Sequence, residues 1–130
     1  MNQKALNAYK SVDVQSGITD ATPHQLVAML ISGALDRVAS AKGAVSRGEI
    51  SRKGELVSSV IAIIDSLRAT LDHEKGGEIS QNLASLYDYI ERTLVQANLA
   101  SDVTLLDEVS RLLTEIKEGW ESIPAEARQV

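Results

Sequence analysis

Apolar residues recur every three or four positions along four stretches of the chain, a spacing that places them on one side of an α-helix. The first stripe comprises Leu26, Leu30, Ala34, Val38, Ala41 and Val45, and the second comprises Leu56, Val60, Ile63, Leu67 and Leu71. The third comprises Ile79, Leu83, Leu86, Ile90, Leu94 and Ala97, and the fourth comprises Leu105, Val109, Leu112, Ile116 and Trp120. None of them alternates like a strand. The pattern predicts four helices.

Helix boundary signals lie between the stripes. Thr22, Pro23 and Gln25 supply an N-cap hydroxyl, a proline at the first helical position and a capping-box side chain, so the first helix is expected to begin there. The other predicted signals are Gly48 after the first helix, Ser51 as the next N-cap, Gly76-Gly77 between the second and third helices, Ser101 or Asp102 as the fourth N-cap, and Pro124 after the fourth helix.

Four helices of about twenty residues, joined by connections of a few residues, pack as antiparallel neighbours. The predicted fold class is therefore all-α, an antiparallel up-down-up-down four-helix bundle over residues 21–123. Residues 1–20 carry only one weak apolar face and are predicted to form a short N-terminal helix or arm, and residues 124–130 a short C-terminal tail. The chain has 130 residues, which suits a single domain.

Composition narrows the function classes. Thirteen basic and eighteen acidic residues leave a formal charge of -5, which argues against nucleic acid as a partner. The absence of cysteine excludes disulfides and thiolate metal sites. The first residues lack the apolar run of a secretory signal, and no later run is long enough to cross a bilayer, so a cytoplasmic protein without membrane insertion is expected. No cofactor or metal site is predicted.

The two histidines do not indicate an enzyme. His24 and His73 both fall at predicted helix ends, and neither has a glutamate three residues before it, as a di-iron bundle would require. The segment from His73 to Gly76 superficially resembles a histidine phosphotransfer motif, but its spacing is one residue too short. A solvated turn is the favoured interpretation, and phosphotransfer through His73 is kept as an alternative function.

Some apolar side chains exceed what one bundle face needs. Tyr87 and Tyr89 lie two positions apart, so on a helix they point about 200° apart. Tyr87 falls at the edge of the third stripe, whereas Tyr89 lies well off it, on the same flank as Asn82. In the first helix, Ile31 lies at the edge of the stripe and Leu35 about 100° from its centre. These residues either line a groove for an amphipathic partner helix or are buried by small helix rotations.

The fourth helix shows no comparable surplus, because Leu106 and Leu113 widen its stripe only modestly. Burial of the surplus residues in a homodimer is a further alternative, in which the chain would be a purely structural bundle. The predicted oligomeric state is a monomer or a weak homodimer.

Three segments carry a more specific pattern: ATPHQLVAML at 21–30, GGEISQNLASLYDY at 76–89, and AN at 97–98 followed by LDEVSRLL at 106–113 and Trp120. In order and spacing they resemble the flagellar export chaperones called FliS, and Tyr9 occupies the position of the N-terminal tyrosine of that family. The resemblance covers nearly the whole chain. Ile31-Ser32 departs from the family pattern, in which a tyrosine followed by an acidic residue is common.

The resemblance implies a non-enzymatic cytoplasmic bundle that binds the disordered C-terminal segment of flagellin, prevents its premature polymerisation and delivers it to the flagellar type III export apparatus. It also implies that the N-terminal arm covers part of the binding surface until flagellin displaces it. Export-gate components and other flagellar regulators are further candidate partners. The candidate flagellin-binding residues are Tyr9, Val27, Ile31, Leu35, Asn82, Leu86 and Tyr89.

Overall fold

The computed structural model describes residues 21–124, and the four stripes of apolar residues lie on α-helices within that range, except for Leu71, which lies in the connection after the second helix. The helices are α1 (Pro23–Ser46), α2 (Ile50–Ala69), α3 (His73–Ala100) and α4 (Val103–Glu121). Connections of two or three residues join them. The all-α four-helix bundle is confirmed. The predicted arm at 1–20 lies outside the described residues, as does the predicted tail after Pro124, so both stay predictions.

Each helix packs on two others. α1 contacts α2 and α4, and α3 contacts the same two helices, so α1 and α3 lie on one diagonal of the bundle. Short connections between consecutive neighbours produce the up-down-up-down arrangement. This layout bears directly on the candidate binding residues, because α1 and α3 do not adjoin and cannot form the two walls of one groove.

The start of α1 matches its sequence signal. The hydroxyl of Thr22 accepts a hydrogen bond from the Gln25 backbone N–H at 3.1 Å, and the Gln25 side chain accepts one from the Thr22 N–H at 2.8 Å. Gly48 adopts a φ of 70°, as expected for the left-handed position after the helix. The prediction of Ser51 as the next N-cap is wrong. The N-cap of α2 is Glu49, two residues earlier, and no side chain caps the helix.

The double glycine lies inside α3 rather than before it. The Asp72 carboxylate caps a first turn by accepting from the Lys75 N–H at 3.0 Å. Gly77 then interrupts the helix with φ 52° and ψ -123°, a conformation that only glycine adopts readily. The buried hydroxyl of Ser80 donates to the Asp72 carbonyl at 3.1 Å and ties the two parts together. The result is a kink just before the residues that line the site described below.

The core is supplied unequally by the four helices. α1 buries the widest arc, because it packs more extensively on α2 and α4 than α3 does on the same two helices. Its fully or almost fully buried side chains are Leu26, Val27, Leu30, Ile31, Ala34, Val38, Ala41 and Ala44. By contrast, α3 buries only the C-terminal half of its predicted stripe, from Ile90 onwards, while Ile79 and Leu86 remain exposed. The third stripe therefore divides into a buried C-terminal part and an exposed N-terminal part, and Leu86, a candidate binding residue, belongs to the exposed part.

Polar contacts attach α3 to α2. The Arg68 guanidinium of α2 forms ion pairs with Asp88 and Glu91 of α3, each at 2.9 Å. Partial burial raises the pKa of Glu91, and a hydrogen bond with Asp65 raises it further, while Arg68 opposes the shift. Near the other end of α2, the buried ammonium of Lys53 donates to the Asn98 carbonyl and the Ser101 hydroxyl, both at 2.8 Å. These contacts attach α3 and the residue after it to α2, and they do not involve α4.

Candidate functional site

An open apolar groove of about 380 Å³ runs between the N-terminal half of α3 and the C-terminal half of α4. Antiparallel packing brings these two halves together. The lining residues from α3 are Ile79, Asn82, Leu83 and Leu86, and those from α4 and the residues after it are Leu112, Glu115, Ile116, Gly119, Trp120 and Ile123. Asn82 and Glu115 are polar, and the other eight residues are apolar or, at Gly119, have no side chain. The groove therefore suits an apolar ligand surface.

The groove exists because opposing side chains leave space between the helices. Ile79 is 48% exposed and Leu86 is 36% exposed, although both belong to an apolar stripe. Gly119 stands in the opposite wall with no side chain, and a Cβ added there would meet nothing within 4 Å. The free energy gained by burying these apolar side chains is therefore available to a ligand rather than to the bundle itself.

Trp120 forms one end of the groove and also links α4 to α1. Its indole N–H donates to the His24 carbonyl at 2.9 Å. The two rings are stacked, with centroids 4.6 Å apart. The indole is almost fully buried, so this end of the groove is built on a fixed ring. Because Trp120 is the only tryptophan in the chain, its fluorescence reports on this place alone.

A hydrogen bond between the two helices closes the other end. The hydroxyl of Tyr89 on α3 donates to the Glu108 carboxylate on α4. This hydrogen bond raises the pKa of the Tyr89 phenol, and the negative charge of Glu108 adds to the shift. The Tyr89 side chain is 40% exposed, whereas Tyr87 is buried in the core. The opposite directions expected for the two tyrosines are thus found in the structure.

The candidate binding residues do not form one surface. Asn82 and Leu86 line the groove, and Tyr89 lies just beyond its end. Val27 and Ile31 are 3% and 0% exposed. The prediction that these two side chains lie at the surface is wrong, because α2 and α4 cover this side of α1.

Two further candidates remain, one on α1 and one outside the described residues. Leu35 is half-buried and packs against the core, on a helix diagonal to α3. Tyr9 lies outside the described residues. No observation tests whether any of the candidates contacts flagellin, so that role stays a prediction.

Sequence reasoning missed the α4 wall of the groove. Leu112, Ile116 and Trp120 belong to the predicted fourth stripe but are not predicted to line a groove, and the sequence pattern does not single out Ile123. Leu106 and Leu113, which lie beside the predicted stripe, are both buried in the core. Together with the stripe itself they give α4 an apolar arc that is wider than the core requires. The width of that arc was the available signal. It could not be interpreted without knowing that α3 leaves part of the arc uncovered.

The two histidines lie at the starts of two different helices. His73 is the first residue of α3 and is exposed, and His24 lies in the first turn of α1. Among residues 21–124, no group of three or more histidine, aspartate and glutamate side chains could hold a metal ion. Across the same residues, no helix combines the length and apolar character needed to cross a membrane.

Comparisons with known proteins agree with one another. The family profile described as flagellar protein FliS matches residues 5–127. The flagellar secretion chaperone FliSB of Pseudomonas aeruginosa is 47% identical over 120 residues, which are 92% of this chain and 95% of the relative. The flagellar secretion chaperone FliS of Salmonella typhimurium is 46% identical over 123 residues, 94% of this chain and 91% of the relative. The Escherichia coli protein of that name is 38% identical over 118 residues, 90% and 87% of the two chains.

Proposed function

The chain belongs to the FliS family of flagellar secretion chaperones, and from that premise we propose that it binds the C-terminal segment of flagellin in the groove between α3 and α4. The family is a chaperone family rather than an enzyme family. In this proposal the protein acts in the cytoplasm, prevents flagellin from polymerising prematurely, and delivers it to the flagellar type III export apparatus.

The observation that carries the proposal is the uncovered apolar surface of the groove. A chaperone for a polymerising protein has to shield the apolar face through which copies of that protein would pack together. The exposed side chains of Ile79 and Leu86 and the wall formed by Leu112 and Ile116 offer such a face a place to bind. An amphipathic helix binds grooves of this kind through residues at positions i, i+3 or i+4, and i+7.

The client segment is disordered before it binds, as the family resemblance implies. Ordering it on the chaperone has an entropic cost, so a long interface with several apolar anchors is expected. Asn82, Leu86 and Tyr89 remain proposed contacts at the groove. Leu35 is a proposed contact only if the client continues around the bundle towards α1. Tyr9 is proposed to belong to an arm that flagellin displaces.

A titration with the C-terminal segment of flagellin tests the proposal. We expect saturable binding by calorimetry, together with a change in Trp120 fluorescence because the indole lines the groove. Gly119→Leu should fill the groove without removing a native contact, since the added side chain points into open space. The matched control is Gly54→Leu on α2, where the space is equally open and no groove residue is near in sequence.

The expected result is that Gly119→Leu abolishes or strongly weakens binding while Gly54→Leu binds as the wild type does. A folded wild-type protein that shows no saturable binding would refute flagellin as the client. Binding that Gly119→Leu leaves intact would show that the client uses another surface. Mass measurement at several concentrations distinguishes this chaperone from a structural bundle that forms homodimers.

A further inference from the structure

The two edges of the groove carry mostly negative charge. Along the solvent side of α4, residues spaced by three or four positions form one edge: Glu108, Arg111, Glu115 and Glu118. The corresponding edge of α3 is formed by Glu78, Asn82, Ser85 and Tyr89. These two edges therefore carry four carboxylates and one guanidinium. That guanidinium, on Arg111, is already paired with Glu115 at 3.2 Å.

Glu115 is the carboxylate best placed to contact a ligand. It lines the groove directly, and its side chain is 60% exposed despite the pair with Arg111. Asn82 lines the opposite wall and is also exposed. An apolar helix bound between them would bring its polar flanks close to these two side chains. Lysine or arginine on the flank facing α4 would find a carboxylate, whereas aspartate or glutamate there would meet repulsion.

The dimensions limit the length of the bound segment. From Glu108 to Trp120 α4 extends about 18 Å at 1.5 Å per helical residue. A partner helix of about twelve residues, or three turns, would cover this distance. The Tyr89 hydrogen bond to Glu108 and the fixed Trp120 ring mark the two ends.

We propose that the groove selects an amphipathic helical segment of about three turns that carries lysine or arginine on the flank facing α4, with Glu115 as the main acceptor. This inference rests on the proposed function for the location of the site, and it adds the chemistry of the segment that the site prefers. Exposed ion pairs contribute little to affinity and are screened by salt. Glu115 therefore acts mainly on selectivity and on the orientation of the bound helix.

Two synthetic helical peptides of fourteen residues provide the test. Both share one stripe of leucine and alanine, and they differ only in carrying lysine or glutamate on the flank. Trp120 fluorescence and calorimetry measure their affinities for the full chain. We expect the lysine peptide to bind about fivefold more tightly than the glutamate peptide at about 20 mM salt, and the preference to shrink at about 500 mM salt.

Charge reversal identifies the residue responsible. Glu115→Lys should abolish or invert the preference. Glu55→Lys on α2 is the matched control, because it changes the net charge by the same amount at an exposed site on a helix that does not contact α4. If both variants change the preference equally, net charge rather than Glu115 is responsible and the proposal is overturned. An unchanged preference in Glu115→Lys, or no binding of either peptide, also overturns it.

The outcomes separate this proposal from the identity of the client. If the flagellin segment binds and the synthetic peptides show no charge preference, the inference fails while the proposed function stands. If the lysine peptide is preferred through Glu115 and the flagellin segment does not bind, the selectivity stands and flagellin is not the client. A wild-type dimer that Gly119→Leu dissociates would show that a second copy of the chain occupies the groove, and would overturn the inference.

Discussion

Tyr89 on α3 donates a hydrogen bond to Glu108 on α4, and this contact closes one end of the apolar groove between the two helices. Beyond it, towards the C-terminal end of α3, the two helices share the buried core. On the groove side of it, Leu86 and Leu112 leave a space that a ligand can fill. The pair therefore lies at the transition between the packed part of the α3–α4 interface and its open part.

Replacing Tyr89 should affect binding more than folding. The ring is partly exposed, and the Glu108 carboxylate returns to water when the hydroxyl is removed. We expect Tyr89→Phe and Tyr89→Ala to melt within a few degrees of the wild type. The alanine variant should bind the flagellin segment more weakly than the phenylalanine variant, because it also loses the ring. A large decrease in melting temperature in either variant would contradict the surface role.

Alanine variants at Ile31 and Leu86 should distinguish a core position from a groove position by their effect on the free energy of unfolding. Ile31→Ala removes a fully buried side chain and should lower the free energy of unfolding by about 2–5 kcal/mol. Leu86→Ala removes a side chain that is 36% exposed, and we expect a loss below about 1.5 kcal/mol together with weaker peptide binding. Urea unfolding measures both losses. Equal losses in the two variants would show that Leu86 is a core residue.

The backbone at Gly77 can be tested without steric interference. A Cβ at this position would meet no atom within 4 Å, so the cost of Gly77→Ala comes from the backbone conformation of φ 52° alone. We expect a destabilisation of about 1–2 kcal/mol. Gly54→Ala is the opposite case, since Gly54 is helical and equally unobstructed, and it should stabilise the protein by about 0.5–1 kcal/mol. Chemical denaturation that gave both variants the same sign would disprove this account.

The buried ammonium of Lys53 should contribute to stability through its two hydrogen bonds. Lys53→Met keeps most of the apolar stem but leaves the Asn98 carbonyl and the Ser101 hydroxyl without this donor. We expect a loss of about 1–3 kcal/mol in thermal or urea unfolding. Lys42→Met, which removes an exposed pair with Asp107, should cost less than about 1 kcal/mol. A smaller effect at position 53 than at position 42 would refute the prediction.

Tyr87 should make stability dependent on alkaline pH. Burial raises the pKa of the Tyr87 phenol above its ordinary value near 10. Because the folded state binds this proton more tightly, the contribution is fully present below about pH 10 and is lost as pH rises further. The free energy of unfolding should therefore fall between about pH 10 and pH 12, and less so in Tyr87→Phe. Urea titrations at the two pH values check this, and equal falls in both proteins would contradict it.

Local features of this protein could be predicted from its sequence. The capping box at Thr22 and Gln25 and the left-handed Gly48 depend on neighbouring residues only. The opposite directions of Tyr87 and Tyr89 follow from the 100° turn per residue, which holds wherever a helix lies. The start of α3 is less predictable. The double glycine indicates a break before the helix, but Asp72 caps a first helical turn and the glycines follow that turn.

Periodicity and boundary residues are enough to predict four amphipathic helices and the direction in which each side chain points from its helix axis. Which apolar side chains are covered depends instead on how the helices pack on one another. Ile31 is buried because α1 packs more extensively on α2 and α4 than α3 does, whereas Ile79 and Leu86 continue an equally regular stripe and remain open to a ligand. Periodicity is a property of one helix, but burial depends on how close the next helix comes, and that distance is set by residues far apart in the chain.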